Sequence, residues 1–402
     1  MKKHICALVC AAGLAAFSAR AQQIPDLKVG NYTVQFHAFG SEGVAFSDEN
    51  NWLTMKTSDG SAAMTDFGFN ASTQITDKFR VGAQMYDRNI GQLGGWHPTL
   101  DWAYGDYKFK DWFGVRAGKV KTVLGLFNDT QDMDFLHTFA VLPQSIYPID
   151  LRASTIAHVG VDVYGDISLK KRGDLAYTAY VGSRPFDPYG GYQLGLAAIG
   201  LTTKTLTARQ TGGDLRWNNL VSGLTVGVSY LNQPGSLDGT ANLQLLANLP
   251  FPLTVPYHLQ GDADNRTQYY TEYKIGRLTF DGEYSRETQS GAANFGGSYS
   301  LDSRAWYVAA AYRVSNRLEL GTYHSWFYPD YKQQVSLPMY HIFDQVVTAN
   351  VSLTRYWGVK VEGHFMDGYG EPYSPQGFYP QSNPAGLKPT TNMLVVRTGL
   401  TF

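Results

Sequence analysis

Short and long connections alternate along this chain, and the segments between them have a period of two. The short connections are Thr76-Asp77-Lys78, Lys110-Asp111-Trp112, Lys170 to Asp174, Asn218 to Gly223, Lys274 to Arg277, Ser315-Asn316-Arg317 and Thr354-Arg355-Tyr356. Their Asn, Asp and Gly residues supply the backbone angles that hairpins need. Before the first turn, Phe67, Phe69, Ala71 and Ile75 oppose Asp66, Gly68, Asn70, Ser72 and Gln74; after it, Phe79, Val81, Ala83 and Met85 oppose Arg80, Gly82, Gln84 and Tyr86. Near the far end, Val359, Val361 and Phe365 oppose Lys360, Glu362 and His364. Seven turns join fourteen strands; Asn31 to Gly40 adds a first and Asn392 to Phe402 a last, which predicts sixteen strands and eight long loops. Strands of about ten residues, even in number and with both ends on the short-turn side, predict an all-β, transmembrane antiparallel β-barrel. A β-sandwich does not alternate its connections so strictly, and a soluble repeat protein shows a fixed period, which is absent here.

The final strand has the same character. Leu394, Val396, Thr398, Leu400 and Phe402 fall on one face, and Met393, Val395, Arg397, Gly399 and Thr401 on the other. One face suits lipid; the face with the arginine suits water. The first residues read as an export signal: Lys2 and Lys3, an apolar stretch from Ile5 to Phe17 too short to span a bilayer, and Ala19-Arg20-Ala21 as a cleavage site. Residues 1–21 are therefore expected to be removed, leaving 22–402 as a single barrel domain. Cleavage takes Lys2, Lys3 and Arg20, so 30 basic residues remain against 34 acidic ones and the net charge is about −4. It also takes both cysteines, Cys6 and Cys10, which excludes disulfides and cysteine metal sites from the mature chain. The charge is no footprint for nucleic acid. Low hydropathy with 27 Tyr, 21 Phe and 42 Gly fits a barrel, in which only alternate residues meet lipid.

Sixteen strands leave an aqueous lumen, whereas eight are filled by side chains. The stretch Gln22 to Gly30 is too short for a plug domain, so an energised transporter is not expected. Alternation turns Arg80, Arg88 and Arg116 inward on strands 3 to 5, with Arg397 nearby after closure, and Asp281 and Glu283 inward on strand 11, roughly opposite. Opposed rows of charge set a transverse field that filters by charge and orients dipoles. The same groups could instead simply keep the lumen wet or pair with one another. Lys121 to Ser154 is among the longest connections and carries Asp129, Asp132, Asp134 and Asp150, with Lys119, Lys121 and Arg152 at its roots. A loop of this length calls for a reason; the one favoured is folding back to narrow the barrel, the other reading being a lid over the mouth. Two further connections, Gly191 to Leu201 and Leu243 to Tyr257, are apolar. They read as loops packed on each other or on a neighbouring protomer in preference to a greasy entry surface.

Arg116-Ala117-Gly118-Lys119, then Gly125-Leu126-Phe127-Asn128-Asp129, then Leu142 to Tyr147 (LPQSIY) resemble a family of proteobacterial porins. The resemblance implies a homotrimer of 16-stranded barrels in a Gram-negative outer membrane, in contact with lipid and lipopolysaccharide, whose third extracellular loop forms the constriction. Carried onto this chain, it gives Asp129, Asp132 and Asp134 one side of the constriction and Arg80 and Arg116 the other. Lys119, Arg88, Asp281, Glu283 and Arg397 complete the expected lumen.

Catalysis is not expected. His37, His158, His324 and His364 lie on strands with no serine at a nucleophile elbow, and no metal-spaced histidine pair occurs. Gly368-Tyr369-Gly370 lacks a strand-to-helix setting. No cofactor is implied. Three readings stand: a porin passing small hydrophilic solutes and ions by diffusion, a channel selective for organic acids, sugars or aromatics, and a poorly conducting receptor or adhesin barrel.

Overall fold

The structure, a computed structural model, describes residues 24–246, 250–294, 296–372 and 374–402. The expected signal, 1–21, lies outside the described residues. The wall consists of β1 (Tyr32–Ser47), β2 (Ser61–Thr76), β3 (Phe79–Ile90), β4 (Thr99–Lys110), β5 (Phe113–Lys121), β6 (Ala157–Ser168), β7 (Asp174–Ser183) and β8 (Leu201–Asn218). It continues with β9 (Leu224–Asn232 and Gly235–Asn242), β10 (Thr254–Ile275), β11 (Leu278–Ala293), β12 (Ser298–Arg313), β13 (Leu318–Tyr328), β14 (Ile342–Ser352), β15 (Trp357–Asp367) and β16 (Thr390–Thr401). Each strand pairs antiparallel with the next, and β16 pairs with β1, so the sheet closes. Phe402 takes part in the closure: its N–H donates to Ala38 O at 2.8 Å, and Ala38 N–H donates to Phe402 O at 3.2 Å. All seven short connections are tight turns between consecutive wall strands.

The eighteen strand segments of the sheet form sixteen wall strands for two reasons. Leu27–Val29 is a short N-terminal strand folded back on β1. The two halves of β9 lie end to end between the same neighbours, β8 and β10. Between them Pro234 has no N–H to give the ladder, so the strand breaks there and resumes.

Two periods of side chains leave the wall. Phe67, Phe69, Val161, Val308, Val347, Val361, Phe365 and Leu394 are exposed on the outside, while Gln84, Asp162, Gln210, Gln268, Glu362 and His364 are buried on the inside. Putting charge on the outer face costs up to ~2–4 kcal/mol per residue at mid-depth, so the register is strongly set. The two apolar loops pack together: Gly191–Ala198 is a helix whose Leu196 joins Leu201, Leu243, Val255 and Tyr257 in one cluster.

Candidate pore constriction

The connection between β5 and β6 folds into the barrel. Its anchor points explain why. At its root, Lys121 bonds Asp132 at 2.5 Å and Asp101 at 3.2 Å, and Arg152 bonds Asp101 at 2.7 Å and approaches Asp132 to 3.6 Å. Gln84 donates to both carboxylates at 3.0 Å. Two cations and two anions thus share one buried site, which removes most of the cost of burying any of them alone.

The second anchor is on β11. Glu283 accepts from Tyr147 Oη at 2.6 Å, Gln268 Nε2 at 2.6 Å, Tyr307 Oη at 2.8 Å and Leu126 N at 3.1 Å. This carboxylate is held by four neutral donors. Gly125 makes the approach possible. Its φ is +67°, and a Cβ there would lie 1.9 Å from Gln268 Nε2 and 2.3 Å from Glu283 Oε2. On its other sides Gly125 N donates to Ser229 Oγ at 2.9 Å, and Arg216 donates to Gly125 O at 2.9 Å.

The third anchor is on β15 and β16. Glu362 accepts two successive loop N–H groups, Ala140 at 2.8 Å and Val141 at 2.9 Å. Lys360 Nζ donates to Asp134 Oδ1 at 2.9 Å and to Phe139 O at 3.0 Å. Arg397 donates to Ala140 O at 2.8 Å and to Asp66 at 2.9 Å, and stands 3.6 Å from Asp134. Burial pushes the Asp134 carboxyl up, and Lys360 and Arg397 more than offset it, leaving Asp134 below the usual carboxylate range. Apolar contacts add to the polar ones: Phe139, Leu142, Ile146 and Tyr147 pack on Tyr307, Tyr323 and Val346.

These contacts divide the residues that the sequence places in the lumen. Arg88, Asp132, Asp134, Glu283 and Arg397 are all buried, and each holds the loop or is held by the wall; Arg88 does so by donating to Ile149 O at 2.5 Å. Arg80 bonds Ser72 at 2.7 Å and stays exposed. Arg116 pairs with Asp106 at 3.2 Å and lies 4.0 Å from the Tyr164 ring centroid. Asp281 faces Glu272 across β10 and β11. Asp129 is on the loop, where burial raises its carboxyl and Arg216 and Lys121 only partly counter it. Lys119 is a correction: it stands across from Ala103 and from the exposed Val159, on the outer face, and its Nζ donates to Leu100 O at 2.5 Å. The sequence reading missed Gly125, Gln268 and Asp101 as anchors. Lys360 and Glu362 were legible as inward groups, though not as partners of the loop.

The loop reaches strands on every side of the barrel. It touches β1 through the Phe39–Phe135 ring pair, β3 and β4 through Gln84 and Asp101, β8 to β11 through Arg216, Ser229, Gln268 and Glu283, and β13 to β16 through Tyr323, Asn350, Lys360 and Arg397.

No family model matches the chain, and no curated protein matches it. Solved structures do. OmpF of Salmonella typhi, in complex with daunomycin, matches with a TM-score of 0.60 at 8% identity, over 94% of this chain and 100% of its own. The outer-membrane protein OmpT of Vibrio cholerae matches with a TM-score of 0.58 at 12% identity, over 94% and 100%. An anion-selective porin from Comamonas acidovorans matches with a TM-score of 0.57 at 10% identity, over 92% and 100%. At these identities the likeness is one of fold: a 16-stranded barrel like those of outer-membrane porins.

Proposed function

We propose that this chain is an outer-membrane channel through which small hydrophilic solutes and ions diffuse, with the third long loop setting its bore. The observation that carries the reading is the loop's placement inside the barrel, fixed by buried charge pairs, in a fold of porin type. Below the loop, Arg80 and Arg116 on β3 and β5 stand on one side, and Glu272, Asp281 and Glu319 on β10, β11 and β13 on the other. Such a lumen prefers ions of one sign only modestly. Planar-bilayer conductance of the refolded chain tests it: large stable steps are expected, and folded, heat-modifiable protein without conductance refutes it.

A second reading, a solute-selective channel, is favoured by the loop's contacts with strands all round the wall, which hold it across the lumen. Saturable block by one solute class separates the two.

We infer a homotrimer. A trimer form of Vibrio cholerae OmpT is known. Here Glu42 shares its face of β1 with Thr65 on β2 and Thr398 on β16, opposite in parity to the buried Ser41, and it accepts a hydrogen bond from Thr65. A carboxylate on the outer face is costly against lipid, and a neighbouring protomer there removes that cost. We assign the chain no catalytic role and no cofactor.

A further inference from the structure

A cavity of about 600 Å³ opens at the short-turn end, below the third loop. Its roof and its wall differ in character. The roof is the underside of the loop and includes Phe135, Leu136 and Phe139. Phe135 is 44% exposed and Leu136 55%, so two large apolar side chains are presented to the lumen. Phe135 meets Phe39 of β1 along one side, with ring centroids 6.0 Å apart, and keeps the rest of its ring open, whereas Phe139, Leu142, Ile146 and Tyr147 of the same loop are buried against the wall.

The wall carries Glu272, Asp281 and Glu319, and its cations lie nearer the rim. Lys274 bridges Glu272 at 2.8 Å with a side chain 61% exposed, against 22% for Glu272. Arg313 reaches Glu319 at 3.6 Å with a side chain 67% exposed, against 24% for Glu319. Asp281, directly across from Glu272, has no cation within salt-bridge distance among the described residues. Its Oδ1 is buried and makes no hydrogen bond. A buried carboxylate oxygen with nothing to accept from is an unmet demand for a donor. His137, also at the roof, does not supply one: burial lowers its imidazole to about 4, and its Nε2 faces Thr130 O at 2.8 Å.

We propose that this chamber binds amphipathic organic cations, with an aryl or alkyl group against Phe135 and Leu136 and an ammonium on Asp281 and Glu272. The roof gives the apolar body a surface to cover. The acids lie deeper than the basic side chains, so a cation gains on going inward and an anion loses. A bare metal ion would leave the roof unused, and no cluster of His, Cys, Asp and Glu among the described residues is arranged to hold one. The inference deepens the channel reading and rests on it, since solutes reach the chamber through the lumen.

The test uses 2-phenylethylammonium, with ethylammonium and 3-phenylpropanoate as controls, on the refolded chain in planar bilayers, adding each to one side at a time. We expect concentration-dependent current block by 2-phenylethylammonium, stronger from the short-turn side, and at least about tenfold weaker block by either control. Asp281→Asn should weaken the block about tenfold; Phe135→Ser with Leu136→Ser should weaken it several-fold. Equal block by 3-phenylpropanoate, or block unchanged in Asp281→Asn, overturns the proposal and leaves the channel reading standing. Absence of any current defeats the channel reading, and calorimetry on the detergent-folded chain then decides the chamber. Heat of binding for 2-phenylethylammonium that is lost in Asp281→Asn supports it; no heat with the unmodified chain overturns it.

Discussion

The lumen has two levels that use the same residue types for different ends. At the level of the third loop, Lys121, Arg152, Lys360 and Arg397 are each within reach of a carboxylate and almost shut off from water. Below the loop, Arg80, Arg313 and Lys274 stand largely in solvent. The difference is one of dielectric. A buried charge is worth most to the fold because removing its partner strands it, whereas a screened one contributes little to stability and remains free to act on a passing ion. Substitutions at the first level should therefore be read in folding and in the position of the loop, and those at the second in selectivity.

The sharpest way to break that distinction is Arg152→Ala. It leaves Asp101 and Asp132 to share Lys121, which should cost about 3–5 kcal/mol and free the loop root. Heat-modifiability and single-channel conductance should both change; a normal unfolding midpoint with normal conductance would place the hold elsewhere. Next comes Gly125→Ala. The added Cβ has no room beside Gln268 and Glu283, and the positive φ is strained for alanine, so a loss of about 1–3 kcal/mol is expected. The same two assays check it, and an unchanged protein would show that the loop shifts freely at this point.

At the lower level, Arg80→Gln combined with Arg116→Gln should move the reversal potential in a salt gradient toward cations, with a smaller loss of stability than Arg152→Ala, since Arg80 is exposed and the Arg116–Asp106 pair is only partly buried. Lys78→Gln, in a tight turn, should move it much less. Equal shifts from both would contradict the inward register of β3 and β5.

The smallest effect concerns the long-loop end. Tyr379 Oη donates to Asp150 at 2.7 Å, tying the last long loop to the third. Burial raises Asp150, with Tyr379 and Arg88 opposing. Nearby, burial and then Asp150 push Glu371 up to about 7 from 4.5. Because the docked form holds its protons more tightly, its added stability is full below about pH 4.5 and is lost as pH rises through 7. Limited proteolysis of residues 368–389 should be slower at pH 5 than at pH 8, and Glu371→Gln should flatten the difference; the reverse order would mean the contact is held by the ionised form.

Much of the wall was legible because short turns and alternation are local. Six of the seven turns carry the Asn, Asp or Gly that marks them, Thr354-Arg355-Tyr356 being marked only by the alternation on either side, and Glu283, Lys360 and Arg397 point inward as the period requires. β1 was read only to Gly40, yet it runs to Ser47 and carries the pairing that closes the barrel. The long-loop ends of β8, β10 and β11 outrun the span that lipid demands, so no hydropathy rule sets their length. Lys119 enters the expected lumen through its motif, and a motif carries no face; its place across from Ala103 and the exposed Val159 is set by the strand pairing. Which inward charge meets which loop atom is a matter of the loop's path across the barrel. Glu362 meeting Ala140 and Val141 N–H is a contact between distant residues that no local pattern encodes.

The pairing of Phe402 with Ala38 has a kinetic consequence. Every earlier strand can find its neighbour as a hairpin, but the wall keeps two unsatisfied edges until its final segment meets its first. A growing chain therefore offers a template for stray strand addition up to the last step, and removing even the terminal turn of backbone bonds should convert slow assembly into aggregation.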